Sequence, residues 1–353
     1  ITKRGETSSE SMSKINLNSY LLLVTVVCLL LIGIIILTSV STVYSQEKFG
    51  NPYHFLFHQL AHMVAGLIAA FAVYKIRLDF LKKYSTFLFI GNIILLAAVF
   101  IPGLNFATKG AKRWIQLGPV TLQPVEFLKL SFIIFLSAWM AKLAQSNFKK
   151  KRKGAMHPIV ICVSLFLITA LMLFFQPDLS SLAVIGAIMV IIYFLSETPS
   201  WHIILLLLVL GLGFFYVVRA APHASNRIAV YLDPDYDPMG LGYQVRQVQI
   251  AIGSGGLFGL GVGMSNQKFG FLPEIMSDTI FATFAEETGF LGSSLLLALF
   301  LSFLWVGFKI SRESTDRFNS LAAAGITSWI IIQAFVNMGA MLRIIPLTGI
   351  AMP

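Results

Sequence analysis

The stretch YLLLVTVVCLLLIGIIILTSVSTV, residues 20–43, carries no charged side chain over its whole length. Crossing the ~30 Å hydrocarbon core of a bilayer takes about 20 mostly apolar residues, because only a helix satisfies its backbone hydrogen bonds internally where no water is available. The stretch is longer than the apolar core of a cleavable signal peptide, and no A-x-A-like site follows it. We therefore expect a retained transmembrane helix here.

The rest of the chain repeats this pattern. Hydrophobic residues make up 57% of the chain and charged residues only 12%, and the mean hydropathy is +0.80. A soluble domain with a wetted surface does not have this composition. The sequence predicts an all-α polytopic membrane protein with nine transmembrane helices. The predicted spans are Tyr20–Val43, Phe55–Tyr74, Tyr84–Ile101, Glu126–Ala144, Pro158–Phe174, Ser180–Leu195, Trp201–Val218, Thr288–Phe308 and Phe318–Leu342.

The chain shows no internal repeat of fixed period and no low-complexity linker, so we expect residues 20–353 to form one domain. Residues 1–19 are polar and are expected to be a flexible tail. A large loop, residues 219–278, separates the seventh span from the eighth. Cys28 and Cys162 lie inside apolar spans without a pairing pattern and are interpreted as packing residues.

Lysine and arginine are unevenly divided between alternate loops, which predicts the orientation. If the N-terminus is cytoplasmic, that side receives most of the cations, and the opposite side receives few. The cations assigned to the cytoplasmic side are Lys3, Arg4, Lys14, Lys75, Arg77, Lys82, Lys83, Lys142, the run KKKRK at Lys149–Lys153, Lys309, Arg312 and Arg317. The net charge of +10 is therefore mostly topology, and KKKRK is interpreted as an anchor near anionic lipid rather than a nucleic-acid patch.

The segment from Pro102 to Pro124 breaks this rule on the opposite side. It places Lys109, Lys112 and Arg113 beside Trp114. A lipid-linked diphosphate at the membrane surface would explain these cations, because arginine makes bidentate contacts with phosphate and tryptophan lies well at the headgroup level. General anchoring to lipid headgroups is the alternative.

Three ionisable residues lie where spans begin. Glu126 and Lys129, at i and i+3, share a helix face and can neutralise one another. Charged groups at membrane depth are costly and are functional candidates, although a structural ion pair is an equal alternative. Asp178, in FFQPDLSSL, could cap the following helix by accepting from the N–H of Ser180 or Ser181, or it could take part in chemistry.

The large loop ends in FLPEIMSDTIFATFAEE, residues 271–287. Pro273 stops any preceding helix, and Ser277 or Asp278 can cap the span that follows. On that helix Asp278 and Glu286 would lie within ~80° of one another and could line one cavity. Capping explains Asp278 but does not explain Glu286 and Glu287, which, with Glu274, are interpreted as supports for loop and helix packing.

Two further patterns are weak signals. Glycines cluster in the loop, but they form no G-x-x-x-x-G-K-[ST] motif and follow no strand, so they are interpreted as sites of tight turns and close backbone approach. His54, His58 and His62 recur at i, i+4 and i+8 and could bind a transition metal. No carboxylate accompanies them, and histidines at a membrane interface are the simpler interpretation.

Four motifs in order resemble the SEDS family of bacterial cell-wall glycosyltransferases, and the resemblance covers nearly the whole chain. They read GAKRWIQLGPVTLQPVEFLKLS, FQPDLSS, YLDPDYDPMGLGYQVRQVQIAIGSGGLFGLGVGMSNQKFGFLPEIMSDTIFATFAEETGFLG and QAFVNMGAMLRIIPLTGIAMP. The wording YLDP and SNQKFGFLPE is closer to the division branch, FtsW, than to the elongation branch, RodA. The family has ten spans, and the sequence reaches Pro353, inside the last motif.

The resemblance implies a peptidoglycan glycosyltransferase in the bacterial cytoplasmic membrane. Such proteins polymerise lipid II, an undecaprenyl-diphosphate-linked substrate, at the outer face of that membrane during cell division. The implied partners are a class B penicillin-binding protein, other membrane proteins of the division machinery and the membrane itself. Nucleic acid is not among the expected partners.

The resemblance also implies site residues. The family's essential aspartate follows leucine-proline-glutamate by three residues, which is Asp278 here, although Met276, Ser277 and Thr279 depart from the usual neighbours. Asp278 would be the general base that deprotonates an acceptor sugar hydroxyl. The residues implied in substrate binding are Arg113, Lys112, Lys109, Glu126, Lys129, Asp178 and Lys268. No metal ligand is assigned, although a divalent ion, Mg²⁺ or Mn²⁺, could share the stabilisation of the leaving diphosphate.

Two other functions would suit a chain with many spans. A lipid II flippase or transporter would use polar residues around a cavity for alternating access. Against this function, the ionisable residues of the chain gather on the outer side rather than near the midplane, and the sequence shows no inverted repeat. A scaffold that only recruits a penicillin-binding protein would not need the loop carboxylates. An elongation-type polymerase of the RodA kind is the alternative within the family.

Overall fold

A computed structural model describes residues 3–103, 105–108, 111–118, 120–145 and 158–353, which form eleven α-helices and a three-stranded sheet. The helices are α1 (Lys3–Phe49), α2 (His54–Lys75), α3 (Leu78–Ala98), α4 (Pro124–Gln145), α5 (Pro158–Phe175), α6 (Leu179–Leu195), α7 (Ser200–Ala220), α8 (Pro222–Leu232), α9 (Leu241–Gly255), α10 (Ile280–Glu313) and α11 (Arg317–Met341). The strands are β1 (Asn105–Thr108), β2 (Ala111–Leu117) and β3 (Val120–Leu122).

Each predicted span corresponds to one α-helix, so the all-α polytopic class is confirmed. Within the described chain, seven helices are long and apolar enough to cross a membrane, and the apolar helices Ile159–Phe175 and Leu179–Leu195 are shorter. In the N-terminal segment, helix α1 begins at Lys3. Extending a helix that already exists costs less than starting one, and no proline interrupts the segment.

The segment expected to be a loop between α3 and α4 contains the sheet. Strand β2 pairs antiparallel with β1 and with β3, and Trp114 lies opposite Phe106. Gly118, at φ +65°, takes the left-handed conformation that the turn between β2 and β3 requires. Arg113 is therefore fixed on a strand.

The chain divides into two compact units. The first consists of Ile1–Lys75, Ala221–Ile310 and Ile330–Pro353, and the second of Ile76–Ala220 and Ser311–Trp329. Each unit has its own apolar packing. In the first unit, Val40, Phe281 and Met338 belong to one buried cluster. In the second, Ala138 and Ala141 of α4 pack on Phe318.

In the first unit, the glycine-rich loop, residues 256–266, packs directly on α10. Helix α10 is interrupted at Gly289, whose φ of 66° and ψ of −163° are not helical. Around this break the loop donates from Leu260 and Gly261 to the carbonyls of Glu286 and Glu287, and it accepts from Phe290 and Leu291. A β-carbon at Gly255 would overlap the Ala285 carbonyl oxygen. The predicted role of the glycines in close backbone approach is confirmed.

This contact gives a prediction with a matched control on one helix. Gly255→Ala should destabilise the first unit by about 1–3 kcal/mol or more, because the new methyl group meets backbone that cannot move alone. Gly253→Ala, also on α9, has open space around its β-carbon and should be neutral or slightly stabilising. Thermal unfolding of the purified protein in detergent measures both. Equal melting temperatures for the two variants would contradict the contact.

Candidate functional site

Asp278 lies in the first unit, at the end of the long loop. The backbone N–H groups of Ser277 and Thr279 donate to the Glu274 carbonyl over 3.0 and 3.4 Å. The Thr279 hydroxyl donates to the Pro273 carbonyl over 3.0 Å. These bonds close a compact turn, and α10 begins directly after it at Ile280. The local sequence thus fixes the backbone around Asp278 and leaves its side chain half-buried.

Asn337 of α11 connects this turn to the C-terminal segment, residues 344–353. Its side-chain amide donates to the Asp278 carbonyl over 2.7 Å and to the Ile350 carbonyl over 2.8 Å. Asn337 itself is 1% exposed. A buried amide that bridges two carbonyls holds both chain segments in place, because leaving either acceptor unpaired in an apolar setting is costly.

A cation faces the same region from α8. Arg227 donates from Nη1 to the Thr348 carbonyl over 2.7 Å. A β-carbon at Gly349, whose φ is +68°, would lie 3.2 Å from Arg227 Nη2 and 3.4 Å from Asp278 Oδ2. The guanidinium of Arg227 and the carboxylate of Asp278 therefore face one small space above Gly349.

Glu286 and Glu287 are each 1% exposed and have protein partners. Glu286 accepts from the Ser265 hydroxyl over 2.5 Å and from the Asn266 N–H over 3.1 Å. Glu287 accepts from the Ser39 hydroxyl of α1 over 2.5 Å. The interpretation of Glu286 and Glu287 as supports for loop and helix packing is therefore confirmed. Glu286 does not line a cavity with Asp278, because the glycine-rich loop brings its own donors onto the Glu286 carboxylate.

In the second unit, Arg113 joins the sheet to the segment before α6. Its guanidinium donates from Nε to the Gln176 carbonyl over 3.1 Å and from Nη2 to the Pro177 carbonyl. Asp178 caps α6, since its carboxylate accepts from the Ser181 N–H over 3.2 Å and from the Ser181 hydroxyl over 2.9 Å. The capping role predicted for Asp178 is confirmed.

Lys129 is a buried cation of the second unit. It is 1% exposed, its Nζ lies 2.7 Å from Glu126 Oε1, and it sits 5.4 Å from the ring centre of Trp329. The ion pair predicted from the i, i+3 spacing is confirmed.

Three further candidates for substrate binding are Lys109, Lys112 and Lys268. Lys109 lies outside the described residues, and for Lys112 the structure describes only the backbone of β2. Lys268 donates to the Gly263 carbonyl of its own loop and lies 5.5 Å from the ring centre of Phe269. Lys268 therefore serves loop geometry in this structure.

The histidine stripe forms a ladder along α2. The ring centres of His54 and His58 are 4.5 Å apart, and those of His58 and His62 are 6.4 Å apart. Across the described residues, no three His, Cys, Asp or Glu side chains converge as a metal site would require. Sequence reasoning missed Arg227, Asn337 and Gly349. A buried asparagine within an apolar helix was the one available signal, because polar groups at membrane depth are costly.

Comparison with known proteins finds a family and several relatives. The family model for FtsW, RodA and SpoVE, described as "Cell cycle protein", matches residues 20–353. Stage V sporulation protein E of Bacillus subtilis (strain 168) is 37% identical over 94% of this chain and 90% of its own length. A probable peptidoglycan glycosyltransferase FtsW of Nitrosococcus halophilus (strain Nc4) is 34% identical over 93% of this chain and 84% of its own.

Solved structures agree on the fold. A chain from a peptidoglycan synthase complex that coordinates polymerization and crosslinking superposes with a TM-score of 0.72 at 24% identity, covering 92% of this chain and 89% of that one. The rod shape determining protein RodA of Thermus thermophilus gives a TM-score of 0.66 at 22% identity, covering 94% and 87%.

The buried carboxylate of Glu286 yields a prediction about loop order. Glu286→Ala should raise the hydrogen exchange rate of the Asn266 amide and lower the melting temperature, because two donors lose their acceptor at a cost of about 1–3 kcal/mol each. Glu274→Ala removes an exposed carboxylate from the same stretch and serves as the control. Unchanged exchange at Asn266 in Glu286→Ala would contradict the anchoring role.

Proposed function

The chain belongs to the FtsW/RodA/SpoVE family of cell cycle proteins, and we propose that it is a peptidoglycan glycosyltransferase that polymerises lipid II. It is a multi-pass membrane protein with apolar helices long enough to span a bilayer. The relatives named probable peptidoglycan glycosyltransferase FtsW support the proposed activity over nearly the whole chain. The proposal concerns the substrate, the acting residues and the place of action in this chain.

The observation that carries the proposal is the setting of Asp278. Its backbone is fixed by Asn337, and its carboxylate shares a space with the guanidinium of Arg227. Two carboxylates within α10, those of Glu286 and Glu287, are buried against protein donors. Of these three acids, Asp278 is the one whose side chain is only half-buried and can meet a substrate.

The proposed reaction is glycosyl transfer with loss of a lipid diphosphate. The oxygen of an acceptor sugar hydroxyl bonds to the anomeric carbon of the donor, and the bond from that carbon to the diphosphate oxygen breaks. The diphosphate leaves with the bonding electron pair. Asp278 takes the proton of the attacking hydroxyl as the new bond forms. A carboxylate is the usual general base for this step.

In the second unit we assign substrate binding to Arg113, together with Lys109 or Lys112. A guanidinium can contact a diphosphate in bidentate fashion and stabilise the charge that develops as it leaves. Glu126, Lys129 and Asp178 are proposed to shape the surroundings, with Glu126 and Lys129 as an ion pair. Lys268 is retained as a further candidate for phosphate contact.

A divalent ion such as Mg²⁺ or Mn²⁺ could share this charge stabilisation. Among the described residues, no group of three suitable side chains could hold one. Such an ion would take its ligands from the substrate diphosphate, and we assign it no protein ligand. When bound, it would act as a Lewis acid on the phosphate oxygens.

We propose the bacterial cytoplasmic membrane as the location, with the N-terminus on the cytoplasmic side, as the distribution of Lys and Arg favours. Asp278 then lies on the outer side. The similar chain in a complex that joins polymerization to crosslinking supports a class B penicillin-binding protein as partner. Relatives named FtsW support a role in cell division, and the relative named Stage V sporulation protein E supports sporulation as the second candidate process.

The activity is tested by reconstituting the full-length protein with its cognate transpeptidase in liposomes and adding lipid II. The wild type should produce glycan polymer that is visible on a gel. Asp278→Asn should lower the polymerisation rate by about 10²–10⁴-fold, because an amide cannot accept the proton. Glu274→Gln, which alters an exposed acid of the same stretch, should keep the wild-type rate.

An Asp278→Asn protein that elutes and melts like the wild type and still polymerises would overturn the assignment of the base. If the wild type makes no polymer but moves lipid II between leaflets, the flippase alternative replaces the proposal. Depletion in cells distinguishes the processes, since a block at septation, during elongation or in spore formation indicates which one the protein serves.

A further inference from the structure

We propose that Arg227 is a positioning residue for Asp278, and that the two side chains and Gly349 together form the subsite that receives the attacking hydroxyl. The inference rests on the proposed function. It extends that function to α8 and to the C-terminal segment, neither of which the sequence analysis assigned to the site.

The guanidinium of Arg227 and the carboxylate of Asp278 lie close together. Arg227 Nη2 and Asp278 Oδ2 lie 3.2 and 3.4 Å from the same point, the position of a β-carbon on Gly349. They are therefore at most 6.6 Å apart, the sum of those two distances. An opposite charge this close favours the ionised carboxylate, which is the form that a general base requires.

Arg227 and Asp278 can bind one hydroxyl group together. A hydroxyl can donate its proton to the carboxylate of Asp278 while its oxygen accepts from the guanidinium of Arg227. The proton then passes to Asp278 Oδ2 as the hydroxyl oxygen forms its new bond. Arg227 keeps its own protons, because a guanidinium is not deprotonated in proteins. Its part is to hold the carboxylate ionised and the hydroxyl oriented.

Gly349 keeps this space open. Its φ of +68° is a left-handed conformation that favours glycine, and a β-carbon there would lie 3.2 Å from Arg227 Nη2 and 3.4 Å from Asp278 Oδ2. A methyl group would contact both groups at 3.2–3.4 Å and would occupy the volume that a hydroxyl needs. A glycine in this position thus satisfies both the backbone and the subsite.

Arg227 is held in place by the contacts of its helix, α8. Helix α8 is joined to the C-terminal end of the first unit at three points: Arg227 donates to the Thr348 carbonyl over 2.7 Å, the Tyr231 hydroxyl to the Ile344 carbonyl over 3.0 Å, and Arg343 to the Tyr231 carbonyl over 2.9 Å. Groups fixed before substrate arrives lose little freedom on binding, which is what a positioned site requires. Only the first of these ties involves a group that also faces Asp278.

The charged groups around Asp278 determine the expected pH dependence. Arg227 faces it from α8, Glu274 belongs to its own turn, and Arg343 at the end of α11 is engaged with Tyr231. The acids of α10, Glu286 and Glu287, are bonded to the loop and to α1. The C-terminal residues in contact, Thr348, Gly349 and Ile350, are uncharged. Arg227 is the cation whose removal should raise the pKa of the Asp278 carboxyl.

The test compares two arginines that make the same kind of structural tie. Arg227→Gln and Arg343→Gln each remove a guanidinium that donates to a carbonyl between α8 and the C-terminal end of the first unit. Each is assayed in the full-length protein with its transpeptidase, using lipid II, across a range of pH. Arg227→Gln should lower the rate by about tenfold or more and move the acidic limb of the profile to higher pH.

Arg343→Gln should leave the pH profile in place, whatever it does to the melting temperature. Arg227→Lys keeps the positive charge and should retain the wild-type acidic limb with a smaller loss of rate. Gly349→Ala should lower the rate by filling the subsite. If Arg227→Gln does not fold, the proposal is tested by the acidic limb of the pH profile of Arg227→Lys and by the polymerisation rate of Gly349→Ala.

The proposal is overturned if Arg227→Gln folds and has the wild-type rate and profile, or if Arg343→Gln shifts the limb equally. It is also overturned if Gly349→Ala polymerises at the wild-type rate. These outcomes are distinct from a failure of the proposed function itself. In that case the wild-type protein makes no polymer at any pH.

Discussion

Helix α10 breaks at Gly289, and the rest of the first unit depends on how that break is satisfied. Backbone groups released from a helix at membrane depth cannot find water, and each unpaired group costs several kcal/mol. Here the glycine-rich loop supplies partners through four backbone hydrogen bonds, two donated by Leu260 and Gly261 and two received from Phe290 and Leu291. Such a contact needs main chain against main chain, which is why glycine stands at residues 255 and 259.

The position of this break determines how the acids of the stretch 271–287 are used. Where the loop lies on α10, Glu286 and Glu287 are enclosed and find donors in Ser265 and Ser39. Before the helix begins, the chain is held by its own turn and by Asn337, and Asp278 keeps part of its surface open. Neighbouring carboxylates thus differ in their environment. Two support the packing of the loop and of α1, while Asp278 Oδ2 lies at most 6.6 Å from the guanidinium of Arg227.

Local sequence rules predicted the features that depend on neighbours along the chain. Composition and length identified nine of the eleven described helices. The i, i+3 spacing identified the pair of Glu126 and Lys129, and the Pro-Asp-Leu-Ser-Ser order identified the cap at Asp178. Features that join distant segments were missed. The sheet around Arg113 depends on pairing between strands, and the meeting of Arg227 with Asp278 depends on the packing of α8 against the C-terminal segment. No periodicity encodes such contacts, because they follow from tertiary packing.

The same distinction explains why Arg227 carries two roles that sequence reasoning would have separated. A side chain that ties α8 to Thr348 is structural by its hydrogen bond and functional by its second nitrogen, which faces Asp278. A guanidinium suits both roles because its several N–H donors lie in one rigid plane and can reach two groups at once. The loss of stability and the loss of charge at Asp278 therefore arise from one side chain. Arg343 makes a comparable tie to α8 through the Tyr231 carbonyl, so its substitution separates the two effects.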